Sequence, residues 1–153
     1  MGEVIVIQMI DVLKIVLIFL TAWIVSCLIM GYISGWMYLA KSYRLKHPFC
    51  DQKWSSQSAY MWWFGFYHSS LSFGSDIEGL YISACELLKI GHPPLFIPWT
   101  DISIIEKEGT LVNFIELEFK KSPSKPIRIS KDLYQKIVQA KQVGHFEWRK
   151  DNF

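Results

Sequence analysis

The feature that most constrains this chain is a run of 26 residues, Ile15–Ala40, that carries no formal charge and is bounded by Lys14 and Lys41. As a helix rising 1.5 Å per residue it would span about 39 Å, more than the roughly 30 Å hydrocarbon core of a bilayer. A buried helix of a soluble domain rarely stays uncharged for so long. A cleavable signal peptide has a shorter apolar region, about 7–15 residues, closed by a small-residue pattern. Here no A-x-A pattern closes the run, and Glu3 and Asp11 precede it. The sequence therefore predicts an uncleaved transmembrane helix over residues 15–40, behind a short extracytoplasmic N-terminus of residues 1–14.

Orientation follows from the flanking cations. Lys41, Arg44, Lys46 and Lys53 follow the span, whereas only Lys14 and the terminal amine precede it. The positive-inside rule then places the remainder of the chain in the cytoplasm, below the inner (plasma) membrane. Trp36, Tyr38 and Tyr43 gather at the end of the run, where amphipathic rings favour the interface. Asp11 and Lys14 lie one helical turn apart and are expected to pair, solvated, at the outer boundary. Gly31 and Gly35 form a G-x-x-x-G that permits close approach of a second helix, the candidate contact for a homodimer or a partner subunit. Three widely spaced cysteines, Cys27, Cys50 and Cys85, make no disulfide framework and are expected as free thiols. Cys27, inside the apolar run, is expected to face lipid or another helix.

Residues 41–58 mix charge, Pro48 and a serine cluster, and read as a juxtamembrane linker. From Ala59 the texture changes to short β-like runs between turn residues. Ala59–His68 is dense in aromatics, with Tyr60, Trp62, Phe64 and Phe66 expected on one strand face and Trp63 and Tyr67 on the other. Strands are expected from Gly79, over Leu95–Trp99, Ile102–Ile105 and Leu111–Phe119, and at Ile127–Ile129. In Leu111–Phe119 the alternation points Glu116 and Glu118 outward. The period then changes: Leu133, Ile137 and Ala140 recur at helical spacing behind Ser130 as N-cap, and Gly144 ends the run. The expected fold class is α+β, several antiparallel strands with one C-terminal helix, over residues 59–143, followed by a tail of residues 144–153.

The order of these elements resembles the pleckstrin-homology superfold, in particular the bacterial PH-like and GRAM-like domains tethered to membrane helices. The residues that carry the likeness are Glu78-Gly79-Leu80-Tyr81-Ile82 and Leu95-Phe96-Ile97-Pro98-Trp99-Thr100-Asp101-Ile102. The resemblance implies a seven-stranded antiparallel sandwich or barrel with a C-terminal helix. It also implies a binding or scaffold module rather than an enzyme; the fold alone names no ligand.

No residue pattern announces chemistry. His47, His68, His92 and His145 make no pair at zinc-ligand spacing with Cys50 or Cys85. No nucleophile elbow, P-loop or dinucleotide fingerprint is present, so no catalytic residue, metal or cofactor is assigned. A net charge of +2 on a membrane-tethered chain argues against nucleic acid as partner. The most suggestive feature is basic: nine Lys/Arg between Lys120 and Lys150 against Asp132 and Glu147. Lys120, Lys121 and Lys125 share one turn and Arg128 follows it; near a bilayer each cation contributes about 1 kcal/mol toward anionic lipids. These four residues are the candidate headgroup contacts. The sequence thus predicts a single-pass, non-catalytic PH-like module that contacts a protein partner or anionic lipid. Its rivals are an accessory subunit acting through the transmembrane helix and a membrane-tethered enzyme without a recognisable motif.

Overall fold

The computed structural model describes residues 2–62, 65–107 and 114–150, with side chains from residue 6 to residue 141 within them. The first element, α1 (Gly2–Ile33), is long and apolar enough to cross a membrane over Val6–Ile33. The protein itself buries almost none of it, and Phe19 at its middle is 74% exposed.

The apolar run is not one helix. The chain turns at Ser34–Gly35, where Gly35 adopts φ +83°, a left-handed conformation that costs a residue with a Cβ about 1–2 kcal/mol. A short second helix follows, α2 (Trp36–Tyr43), whose Trp36, Leu39, Ala40 and Tyr43 recur at i, i+3, i+4 and i+7. That stripe is buried in the core of the β domain. The span expected over residues 15–40 is thus divided: α1 remains apolar to its end, while residues 36–43 enter the protein. Trp36 and Tyr43, expected at the bilayer interface, are core residues. Tyr38 is the exposed one.

Seven strands follow: β1 (Lys53–Met61), β2 (Gly65–Ser75), β3 (Gly79–Ala84), β4 (Leu95–Pro98), β5 (Ile102–Lys107), β6 (Phe114–Phe119) and β7 (Ile127–Ser130). They form one antiparallel, near-barrel sheet in the order β4-β3-β2-β1-β7-β6-β5, compatible with the PH-like fold. The expected linker is shorter, because β1 begins at Lys53. The aromatic run 59–68 is not one strand but a tight hairpin in which Met61 pairs with Gly65 and Tyr60 with Phe66. Tyr60 and Phe66 therefore share an outer face, stacked at 4.3 Å between centroids, while Ala59, Met61 and Tyr67 point inward. The faces expected for Trp63 and Phe64, and the start of the strand expected from Leu111, lie outside the described residues.

Leu71, Phe73, Leu80, Ile82, Ile97, Leu117 and Ile127 fill the barrel. Each such side chain contributes about 1.5–3 kcal/mol by leaving water. The last element, α3 (Lys131–Lys150), is capped as expected: Ser130 Oγ accepts from Leu133 N–H at 3.2 Å. Leu133 and Ile137 are buried, and α3 lies on β2, β6 and β7. The helix does not stop at Gly144, because a glycine weakens a helix by only about 1 kcal/mol and its backbone bonds continue.

Candidate functional site

Two features meet at the foot of α1: a buried polar seam that fixes the helix to the barrel, and an exposed aromatic and basic cluster beside it. The seam is built from three distant parts of the chain. Ser34 ends α1, Tyr67 points inward from β2, and His92 lies in the β3–β4 connection. Tyr67 Oη is 2.9 Å from Ser34 Oγ and 2.7 Å from His92 Nε2. His92 Nδ1 faces the Ile90 carbonyl at 3.3 Å, so Nδ1 carries the proton and Nε2 accepts from the Tyr67 hydroxyl. The Trp36 indole N–H donates to the Pro93 carbonyl at 2.8 Å, and its ring meets both Tyr67 and His92. Desolvation pushes the Tyr67 phenol up to about 12 and lowers His92 below its ordinary value, so both are neutral near pH 7. Neutral, mutually bonded groups are what a buried seam requires.

The seam continues up α1. A methyl added at Gly31 would sit 2.5 Å from the Gly91 carbonyl oxygen, so the glycine admits the β3–β4 connection against the helix backbone. Cys27, expected to face lipid or another helix, is buried there with its thiol 3.7 Å from the Leu87 carbonyl. Gly31 and Gly35 were the candidate contact for a second helix. Within this chain Gly31 faces Gly91 and His92, and Gly35 faces the stem of Lys125. In this arrangement the protein's own barrel occupies that approach.

Beside the seam, Tyr32 and Tyr38 stand with ring centroids 6.0 Å apart, both exposed. The Lys125 ammonium lies 3.0 Å from the Trp62 ring centroid and 5.3 Å from that of Tyr38, and Lys41 lies 5.2 Å from Tyr38 on its own account. Two ammonium groups therefore approach one exposed tyrosine where the apolar helix ends. Cation–π contact holds them there without neutralising their charge.

The four cations singled out in the sequence do not form one cluster. Lys125 is at the foot of α1. Lys121 lies at the far end of α2, where its ammonium is 3.7 Å from Asp101 Oδ2, and its backbone N–H donates to Tyr43 Oη at 3.1 Å. Burial raises the Tyr43 phenol above its ordinary value. Lys120 is exposed. Arg128 is on the outer face of β7, bonded through Nε to Glu116 Oε2 at 2.6 Å and stacked over Phe114. Glu116, expected outward in solvent, is only 2% exposed: alternation placed it on the outer face, and cross-strand Arg128 helps to cover it. In the sequence Lys41 pointed only to orientation, and Trp62 was expected on a strand face with Tyr60; it stands instead in the hairpin turn, with φ +51°. A Lys just past an apolar run was the available signal.

A second cleft, of about 510 Å³, is lined by Arg44, Lys46, His47, Asp51, Asp76 and Glu78 among others. Its charges are mixed, and among the described residues no three His, Cys, Asp or Glu side chains converge as a metal site. Comparison of the chain with protein-family models, curated proteins and solved structures finds no significant match.

Proposed function

We propose that this protein is a single-pass, membrane-anchored, non-catalytic PH-like module that reads anionic headgroups at the cytoplasmic face, with the site at the foot of its own spanning helix. The observation that carries the reading is the approach of both Lys41 and Lys125 to exposed Tyr38 where α1 ends. Aromatic rings concentrate at the boundary between hydrocarbon and water, and ammonium groups there meet phosphate. The seam of Ser34, Tyr67 and His92 supports it, because a barrel fixed to the anchor holds this cluster at one depth. The cations that follow the apolar run support the cytoplasmic placement.

The test uses the full chain reconstituted with traces of spin-labelled phosphatidylserine or phosphatidylcholine, read as the fraction of immobilised lipid. The serine lipid is expected to be retained preferentially at low salt. High salt, or Lys41→Gln with Lys125→Gln, removes the preference. Equal retention of the two lipids by the unaltered protein at low salt rejects the headgroup reading. Labelling of exposed Cys50 in intact cells by a membrane-impermeant maleimide would reject the cytoplasmic placement.

A further inference from the structure

We infer that the β3–β4 connection, residues 85–92, is a second membrane element, dipping beside α1 so that Leu87 and Ile90 lie in the headgroup and upper acyl layer. The inference rests on the reading that α1 spans the bilayer, and it does not require the anionic-lipid site.

Length along the helix makes the argument. The Leu87 carbonyl meets the Cys27 thiol at 3.7 Å, so this turn of the connection sits level with Cys27. Lys14, paired with Asp11 at 3.1 Å, marks the other side of the bilayer. From Lys14 to Cys27 the helix rises about 20 Å. The hydrocarbon core is about 30 Å thick, so both levels cannot lie outside it, and any helix tilt enlarges the shortfall. Embedding Asp11 and Lys14 fully would cost roughly 2.5–3.5 kcal/mol for each charge, and flexible side chains lower that only by reaching toward the surface. Sharing the shortfall between the two sides leaves Leu87 about 5–10 Å deep, the depth at which interfacial amphipathic segments lie.

The chemistry of the connection agrees. Among the described residues Leu87 is 68% exposed and Ile90, partly covered by the protein, 38% exposed. Four amides of this stretch are turned inward, as an apolar medium favours. Cys85 N–H donates to Ser70, Leu88 N–H to Cys85, Lys89 N–H to Glu86 and His92 N–H to Lys89. The charged pair in the turn, Glu86 and Lys89, is bonded to itself at 2.8 Å and exposed, free to face the headgroups. At this depth Ser34 falls just outside the hydrocarbon, where Tyr32, Tyr38 and Lys125 belong.

The experiment is methyl NMR of the full chain in zwitterionic nanodiscs. It uses either a lipid nitroxide near the headgroup end of the acyl chain or a water-soluble gadolinium chelate. Loss of the Leu87 and Ile90 signals with the nitroxide lipid, and their survival with the chelate, is the expected result. Ile77, beyond the far end of β2, should behave in the opposite way; buried Leu133 should survive both. Survival of Leu87 with the nitroxide and loss with the chelate overturns the inference when Leu28, on α1, is itself lost to the lipid probe. If Leu17, at mid-helix, survives even a chain-end nitroxide, the anchor reading fails and this inference falls with it. A bilayer thinned around the protein would leave Leu87 exposed to the chelate, which is the same overturning outcome.

Discussion

Removing one oxygen atom, in Tyr67→Phe, isolates the contribution of the buried seam. The hydroxyl is 2.9 Å from Ser34 and 2.7 Å from His92, and all three residues are almost fully buried. The phenyl ring keeps its place against Trp36, so packing is preserved and only the polar links are lost. Each of the two hydrogen bonds contributes about 1 kcal/mol net, and leaving His92 Nε2 desolvated without its donor costs roughly another 1–2, for a total of about 3–4 kcal/mol. The assay is urea unfolding of the full chain in mild detergent, followed by tryptophan fluorescence, in which the barrel unfolds while α1 stays in the micelle. Ser34→Ala should cost less, and the double variant should cost distinctly less than the sum of the two, because both changes break the same chain of bonds. A loss below about 0.5 kcal/mol for Tyr67→Phe, within the range of ordinary surface changes, refutes the idea that these groups hold helix to barrel.

Three further outcomes follow from the same geometry. His92 is held below its unfolded value by burial, so protonation favours the unfolded chain: the stability it provides is complete above about pH 6.5 and is lost as pH falls below that, by at most about 1.4 kcal/mol per unit. His92→Gln should flatten the difference in unfolding free energy between about pH 7.5 and about pH 5.5, and an unchanged slope would contradict the assignment. Trp36→Ala should cost about 3–5 kcal/mol by the same urea assay, and a fragment beginning at residue 54 should lose cooperative unfolding, since the first empties the largest α2 position in the core and the second removes the whole helix. Ser130→Ala should cost about 1 kcal/mol through the lost cap on α3; no change would mean that Leu133 N–H finds another acceptor.

What the sequence determined by itself is what local pattern can express. The uncharged run meant a helix suited to a bilayer, Ser130 meant a helix start, and strand alternation with turn residues meant an antiparallel sheet. What only the tertiary structure decided is which apolar or polar surface meets which. Hydropathy reads Trp36–Ala40 as a continuation of the span because a protein core and a lipid tail are equally apolar; the left-handed turn at Gly35 and the stripe through Tyr43 separate them. Alternation puts Glu116 on the outer face but cannot say that Arg128 from the next strand covers it. An aromatic run has no marker that tells one strand from a hairpin folded on itself, as Tyr60 and Phe66 are. The foot of α1 is the extreme case: Ser34, Tyr67 and His92 are far apart in the chain, and Lys125 reaches Trp62 and Tyr38 from another turn. Long-range contacts leave no periodic trace, because folding joins positions whose spacing in the chain no local rule fixes.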